Sequence, residues 1–430
     1  MEMKGNALII KGNKNLNGYL EVSGAKNSAL PNIAATILTD EQVILENIPD
    51  LLDIEFMNNL LKEIGSDVKD LGNKTFSYRL NNPSSLTANY DFVSKMRASI
   101  LVLGPMLSRF GYAEVSLPGG CCIGTRPIDL HIKALEKMGA IIELEHGFIK
   151  ATAQRGLKGN HIKFDKVTVT GTENILMAAV LAEGETIIEN AALEPEIVDL
   201  ALLLKKMGAK IEGEGTPVIK IKGVKKLYGT KHKIIPDRIE AATFAILSAL
   251  SEGNIVIKNY PKNYLEYVNF IFKKIGINII DLGNNEVLVK KEDRLKPVKI
   301  ETKEYPYFPT DLQAQFMTLL SVVEGQSEIT ENIFENRFMH VSELNRLGAD
   351  IKINGKTAVI NGVNKLTGAE VKATDLRASA AMVLAGIISE GETVIHDIYH
   401  LDRGYEHIDT KLKNIGAELK RVYVKEKILD

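Results

Sequence analysis

Leu181-Ala182-Glu183-Gly184-Glu185-Thr186-Ile187-Ile188-Glu189-Asn190, followed by Ala201-Leu202-Leu203-Leu204-Lys205-Lys206-Met207-Gly208-Ala209, decides the fold. The first segment leaves a small-residue helix pattern that starts at Ala178, turns, and continues as a strand. The second is an apolar helix pattern closed by a glycine suited to a left-handed C-cap. Both recur along the chain. The first shape returns at Ile37 to Asn47, Leu250 to Asn259, Val322 to Asn332 and Ile387 to Asp397. The second ends alike at Ile64-Gly65-Ser66, Met138-Gly139-Ala140, Ile275-Gly276-Ile277, Leu347-Gly348-Ala349 and Ile415-Gly416-Ala417. A period of roughly 70 residues is longer than a solenoid repeat, so each copy is a multi-element subdomain. Six units, each reading helix, strand, helix, strand with short strands between, predict an α/β protein. Runs such as Ala378-Ser379-Ala380-Ala381 suit helices packed closely inside. The Lys/Gly-rich stretch from Lys222 to Pro236 divides three units from three and reads as a linker, which predicts two domains with a cleft.

Composition sets the class. The chain has 430 residues, is 45% hydrophobic and 25% charged, and carries a formal net charge of −2. That is an ordinary globular balance, long enough for more than one core. No long basic run supplies a footprint for nucleic acid. The start, Met1 to Lys14, lacks the apolar stretch of a signal peptide. The most apolar segment, Ala378 to Ile388, is too short to span a bilayer. Two adjacent cysteines without C-x-x-C argue against a disulfide framework or a zinc site, and for a reducing, cytoplasmic location.

Departures from the repeat locate candidate chemistry. The second unit is the longest, and its excess falls in Leu117-Pro118-Gly119-Gly120-Cys121-Cys122-Ile123-Gly124-Thr125-Arg126-Pro127-Ile128-Asp129-Leu130. A lone cysteine is most often a buried structural residue. Here glycines permit unusual backbone, Arg126 favours thiolate, and Pro127 with Asp129 reads as a helix start. Charged residues also gather at two equivalent places in the units. One is the start of the inner helix, with Lys26-Asn27, Arg97, Asp311 and Arg377. The other is the turn into the outer helix, with Arg126, Arg337 and Arg403. Any single Arg is more often a solvated or ion-paired side chain. Repeat-equivalent arginines, suited to bidentate carboxylate and phosphate pairing, point to a small polyanionic substrate.

These segments carry a resemblance. Gly24-Ala25-Lys26-Asn27-Ser28-Ala29-Leu30-Pro31, Met96-Arg97-Ala98-Ser99, Gly119-Gly120-Cys121 through Arg126-Pro127-Ile128-Asp129-Leu130-His131, Pro309-Thr310-Asp311-Leu312-Gln313-Ala314-Gln315, and Asp375-Leu376-Arg377-Ala378 through Asp402-Arg403-Gly404-Tyr405-Glu406 resemble, in order and across the chain, the enolpyruvyl transferases that act on UDP-N-acetylglucosamine. The resemblance implies two inside-out α/β barrel domains, each of three βαβαββ-type units. One would span residues 22–235 and carry a Cys121 lid loop. The other would span 1–21 plus 236–430, with the N-terminal strand returning to it, and carry Asp311 and Arg403.

It also implies transfer of the enolpyruvyl group of phosphoenolpyruvate to the sugar 3-hydroxyl, with release of phosphate, at the head of peptidoglycan synthesis. Cys121 would be general acid and covalent residue, and the target of fosfomycin-type epoxides. Asp311 would be the general base, with Lys26 and Arg403 also catalytic. Phosphoenolpyruvate would meet Lys26, Asn27, Arg126, Arg337, Arg377 and Arg403. The nucleotide sugar would meet Asn27, Arg97, Arg126, Pro127, Ile128, Asp129, Leu130, Lys166, Thr168, Val169, Asp311 and Ile333. No cofactor, metal, nucleic acid or membrane is implied, and the expected state is a monomer. Cys122, Tyr307 and Leu193 depart from the family's usual residues. The rival activities are the shikimate-pathway enolpyruvyl transferase, which lacks the cysteine loop, and a non-catalytic paralogue that binds the nucleotide sugar; turnover separates them.

Overall fold

The computed structural model describes residues 6–93, 96–117 and 128–424. They form two compact units, residues 6–23 with 236–424, and residues 24–235 within the described ranges. Each unit has its own apolar core.

The third repeat shows the plan. Strand His161–Lys163 leads to helix Val169–Ala179, strand Glu185–Glu189, helix Pro195–Lys206, and a hairpin of Lys210–Glu212 with Val218–Lys222. The first two strands pair in parallel, His161 opposite Ile187, and the rest antiparallel. Parallel neighbours need a crossover, and the inner helix supplies it. Among the described residues this βαβαββ pattern occurs six times, giving six four-stranded sheets of the same order.

Three sheets borrow a strand from elsewhere in their own unit. Thr230–Lys233 pairs in parallel with Val43–Glu46 and completes the first sheet of residues 24–235. The expected linker 222–236 therefore contains a strand. Its Thr-Lys-His-Lys sequence buries only His232, which hid it from an apolar-pattern reading. In the other unit, Gly18–Glu21 pairs with Ile255–Lys258, and Ala7–Lys11 lies between Glu392–His396 and Glu418–Val422.

Helices lie inside and sheets outside. Every residue of helix Arg238–Leu250 is buried, as is nearly all of Leu376–Ile388, whereas strands such as Val218–Lys222 alternate exposed and buried residues. Small side chains make this possible. A Cβ at Gly104 would lie 2.4 Å from the carbonyl oxygen of Asn174 on the neighbouring inner helix. Outer helices are amphipathic; Leu52–Ile64 buries Ile54, Met57, Leu60, Leu61 and Ile64, each contributing about 1.5–3 kcal/mol.

The punctuation is backbone chemistry. The six closing glycines, Gly65, Gly139, Gly208, Gly276, Gly348 and Gly416, all take φ between +92° and +111°, where a side chain is strained. Asn47, Asn190, Asn259 and Asp397 follow the second strand of their repeats at φ +57° to +59°, a region Asn and Asp tolerate best among residues with side chains.

Candidate active site

In the unit of residues 6–23 and 236–424, the centre is Asp311. It lies in the 3₁₀ turn Thr310–Leu312 that opens inner helix Gln313–Leu320. Arg377 stands in the first turn of the next inner helix, whose N-cap Asp375 accepts from the Arg377 and Ala378 amides. Arg377 donates from Nε and Nη2 to Asp311 Oδ2 at 3.1 and 2.9 Å. Arg337, in the turn before outer helix Val341–Arg346, brings Nη1 to 2.9 Å from Oδ1. Both guanidiniums are buried while Asp311 keeps a quarter of its side chain exposed, 26%. Burial alone would lower the Arg377 pKa; the Asp311 charge, with Tyr405 and Asp237, more than offsets it and raises the pKa.

Further bonds fix this group. Arg337 Nη1 donates to Thr310 Oγ1 at 3.1 Å, and Thr310 donates to Glu331 at 2.8 Å. Glu331 Oε1 accepts from the amides of Ile333 and Phe334, which sets the backbone at Ile333. Gln315 Nε2 donates to the Tyr405 hydroxyl and to the Asp311 carbonyl, both at 3.0 Å. Arg403 follows the short helix Tyr399–Asp402, with its guanidinium carbon 6.0 Å from the Tyr399 ring centre.

In the unit of residues 24–235, Lys26 opens inner helix Lys26–Ala35 and reaches Asp53 Oδ2 at 3.1 Å, both side chains being buried. Asn27 is half-buried beside it. One residue on, Ser28 and Asn32 donate to Asp199 Oδ2, and His232 Nε2 lies 2.9 Å from Oδ1.

Arg97 begins the 3₁₀ helix Arg97–Val102. Burial, with the Arg97 charge adding to it, pushes the pKa of His131 down to about 4. Asn174 Nδ2 approaches His131 Nδ1 at 3.1 Å, and Thr170 Oγ1 lies 3.3 Å from Nε2. An amide nitrogen can only donate, so the network assigns the ring proton to Nε2. Ile128 precedes outer helix Asp129–Lys137, where Asp129 and Leu130 are half-buried in the first turn. Thr168 caps helix Val169–Ala179 by accepting from the Gly171 amide at 3.2 Å, and Lys166 is exposed just before it. A helix N-terminus with a lysine just before it suits an anion. A cavity of about 430 Å³ is lined by Leu130, Ala134, Ile162 and Phe164, by Lys133, Lys137 and Lys163, and by Glu136 and Asp165.

Within one unit, then, the structure joins Asp311 with Arg337 and Arg377, with Arg403 and Ile333 nearby in sequence to members of that network. In the other it places Lys26 and Asn27 on one inner helix and Thr168 and Val169 on another. Cys121, Arg126 and Pro127 lie outside the described residues. Sequence reasoning passed over Asp53, Tyr405 and Gln315 as partners, and Asp237-Arg238 at the start of the fourth inner helix. Asp237 caps that helix and Arg238 is buried with its guanidinium carbon 5.4 Å from the Tyr305 ring centre. The signal was present, since Pro236-Asp237-Arg238 matches Pro309-Thr310-Asp311 in the repeat. Among the described residues no group of three His, Cys, Asp or Glu could hold a metal, and no helix is long and apolar enough to cross a membrane.

Residues 10–412 match the family described as EPSP synthase (3-phosphoshikimate 1-carboxyvinyltransferase). The chain is 56% identical over 421 residues to a UDP-N-acetylglucosamine 1-carboxyvinyltransferase from Koribacter versatilis, covering 96% of each. It is 53% identical to the enzyme of that name from Acidobacterium capsulatum, over 96% of this chain and 95% of the relative. Among solved structures, the enolpyruvyl transferase NikO from Streptomyces tendae superposes with a TM-score of 0.87 at 24% identity, over 97% of this chain and 99% of the other. EPSP synthase from Acinetobacter baumannii gives 0.74 at 20% identity, over 96% and 99%. At those identities the structures speak to the fold alone.

Proposed function

The chain belongs to the EPSP synthase family of enolpyruvyl transferases, and from that premise we propose how its own residues act. It transfers the enolpyruvyl group of phosphoenolpyruvate to UDP-N-acetylglucosamine and releases phosphate, as a UDP-N-acetylglucosamine 1-carboxyvinyltransferase. The observation that carries this reading is the 53–56% identity to two enzymes of that name over 96% of the chain.

The reaction needs a carboxylate and a phosphate held, a hydroxyl proton removed and a carbon protonated. Lys26, Arg126, Arg337, Arg377 and Arg403 are the proposed cations for phosphoenolpyruvate, with Asn27 next to Lys26 in sequence. The sugar 3-hydroxyl oxygen bonds to C2 as Asp311 takes its proton and Cys121 delivers one to C3. The C2–O bond to phosphate then breaks, C3 loses a proton, and the double bond returns. Cations already in place when charge builds on the tetrahedral adduct stabilise it without reorganisation. Arg97, Ile128, Asp129, Leu130, Lys166, Thr168 and Val169, with Arg126 and Pro127, are proposed for the nucleotide sugar. The Thr168 helix N-terminus and Lys166 supply diphosphate chemistry there. Ile333 would border the sugar beside Asp311. The two compact units are proposed as the enzyme's two domains, and the reaction as the first committed step of peptidoglycan synthesis in the cytoplasm, carried out by a monomer.

Phosphate release from phosphoenolpyruvate, measured with UDP-N-acetylglucosamine and separately with shikimate 3-phosphate, tests this assignment. Turnover with the first acceptor and none with the second is expected. The reverse makes the chain a shikimate-pathway enzyme, and binding of the nucleotide sugar without phosphate release makes it a non-catalytic binder.

A further inference from the structure

The turn that carries Arg403 is held from two sides. On one, a Cβ at Gly404 would come within 2.5 Å of Leu376, so the turn packs directly on the start of the Arg377 helix. Tyr405, next in sequence, is buried with its hydroxyl among Thr243, Gln315 and Arg377. On the other side stands Arg421, on the strand Glu418–Val422 that pairs with the N-terminal strand, Leu8 opposite Arg421.

Arg421 donates from Nη1 to Asp402 Oδ2 at 2.8 Å and from Nη2 to Asp402 Oδ1 at 2.6 Å. Nη2 also reaches Asp409 Oδ1, in the first turn of helix Ile408–Asn414, at 3.2 Å. The guanidinium is largely buried, with 13% of its side chain exposed. One planar cation thus ties the last strand to the residue before Arg403 and to the helix after it. Two consequences follow. The fork fixes where the backbone at Asp402–Arg403 lies, a geometry lysine does not reproduce. It also occupies both oxygens of the carboxylate adjacent in sequence to Arg403, so that Asp402 is engaged elsewhere and its charge is offset.

We propose that Arg421 is a positioning residue for phosphoenolpyruvate, acting through Asp402 to hold Arg403 in place and to keep the Asp402 charge from competing with the anionic substrate. The inference rests on the reading of Arg403 as a phosphoenolpyruvate cation, and the experiment separates the two.

Steady-state kinetics of the full enzyme are compared for Arg421→Gln, Arg421→Lys, the double variant Asp402→Asn/Arg421→Gln, and Arg403→Lys, each with a thermal melt. Arg421→Gln should raise KM for phosphoenolpyruvate about tenfold, less than the roughly 10²-fold that a 1 Å misplacement can cost. KM for UDP-N-acetylglucosamine should stay nearly unchanged. Arg421→Lys, expected to fold if the Gln variant does not, should fall between. The double variant should regain part of the loss, because removing the Asp402 charge removes the competitor. A purely structural role would weaken both substrates alike or lower kcat without a split, and either result overturns the proposal. Unchanged KM for phosphoenolpyruvate in both single Arg421 variants, with a rise in Arg403→Lys, also overturns it while sparing the reading of Arg403. No rise in Arg403→Lys removes that reading and the inference together.

Discussion

Arg377 holds a single oxygen of Asp311 with two nitrogens, Nε at 3.1 Å and Nη2 at 2.9 Å from Oδ2. Arg337 takes the other oxygen, so the proposed base shares its lone pairs with two of the proposed substrate cations. An incoming phosphate or carboxylate competes for the same guanidiniums. Substrate binding and the release of an Asp311 oxygen toward the hydroxyl would then be coupled events.

Asp311→Asn keeps the shape and an acceptor for Arg377 but removes the base. Its kcat should fall by about 10²–10⁴-fold while UDP-N-acetylglucosamine affinity, by calorimetry, changes little. A kcat within a few-fold of the parent would show that Asp311 does not take the proton.

Cys121 and Cys122 are separated by register alone. Peptide mass mapping after treatment with phosphoenolpyruvate or a reactive epoxide should place the adduct on Cys121, and Cys121→Ala should lose it while Cys122→Ala retains it. An adduct confined to Cys122 would move the covalent role one residue along.

The inner helix Val169–Ala179 carries Glu173, which is buried and raised well above the ordinary carboxylate range, first by burial and then by Glu196 and Glu194. The native state therefore keeps its proton where the unfolded chain has lost it. Its stability cost is absent below the unfolded value near 4.5 and grows as pH rises toward the folded value. Glu173→Gln should melt higher than the parent at pH 8, with the gap closing as pH falls toward 4.5. A pH-independent difference would mean that Glu173 does not titrate in this way.

Asp199 accepts from Ser28 and Asn32 and faces His232 Nε2, all buried. Asp199→Ala removes the acceptor of the Ser28 hydroxyl and the partner of His232 Nε2, while Asn32 keeps its bond to the Ser28 carbonyl, and should cost about 3 kcal/mol, read from denaturant melts. A loss within the scatter of surface substitutions would show that the network is dispensable.

Much of the fold was legible because its punctuation is chemical. Gly65, Gly139, Gly208, Gly276, Gly348 and Gly416 announce helix ends that only a residue without Cβ satisfies easily, and all six take that conformation. The inner helices were legible from small residues, since only they permit approaches like Gly104 to Asn174. The strand Thr230–Lys233 was not, because its one buried side chain is a histidine and its partner, Val43–Glu46, lies far away in sequence. At the site, repeat-equivalent Arg and Lys positions stood out, but their partners did not. That Asp311 would be clasped by Arg337 of its own repeat and Arg377 of the next, or Lys26 paired with Asp53 on the outer helix of its own repeat, depends on side-chain reach between helices, which spacing along one chain does not encode.

Enolpyruvyl transfer to the 3-hydroxyl of UDP-N-acetylglucosamine is the reaction assigned to this enzyme. Its most direct test is NMR of the product formed from phosphoenolpyruvate and UDP-N-acetylglucosamine by the purified enzyme. A vinyl ether on the sugar O3, with one phosphate released for each, is the expected product. Unchanged nucleotide sugar, or an enolpyruvyl group at any other position, would contradict it.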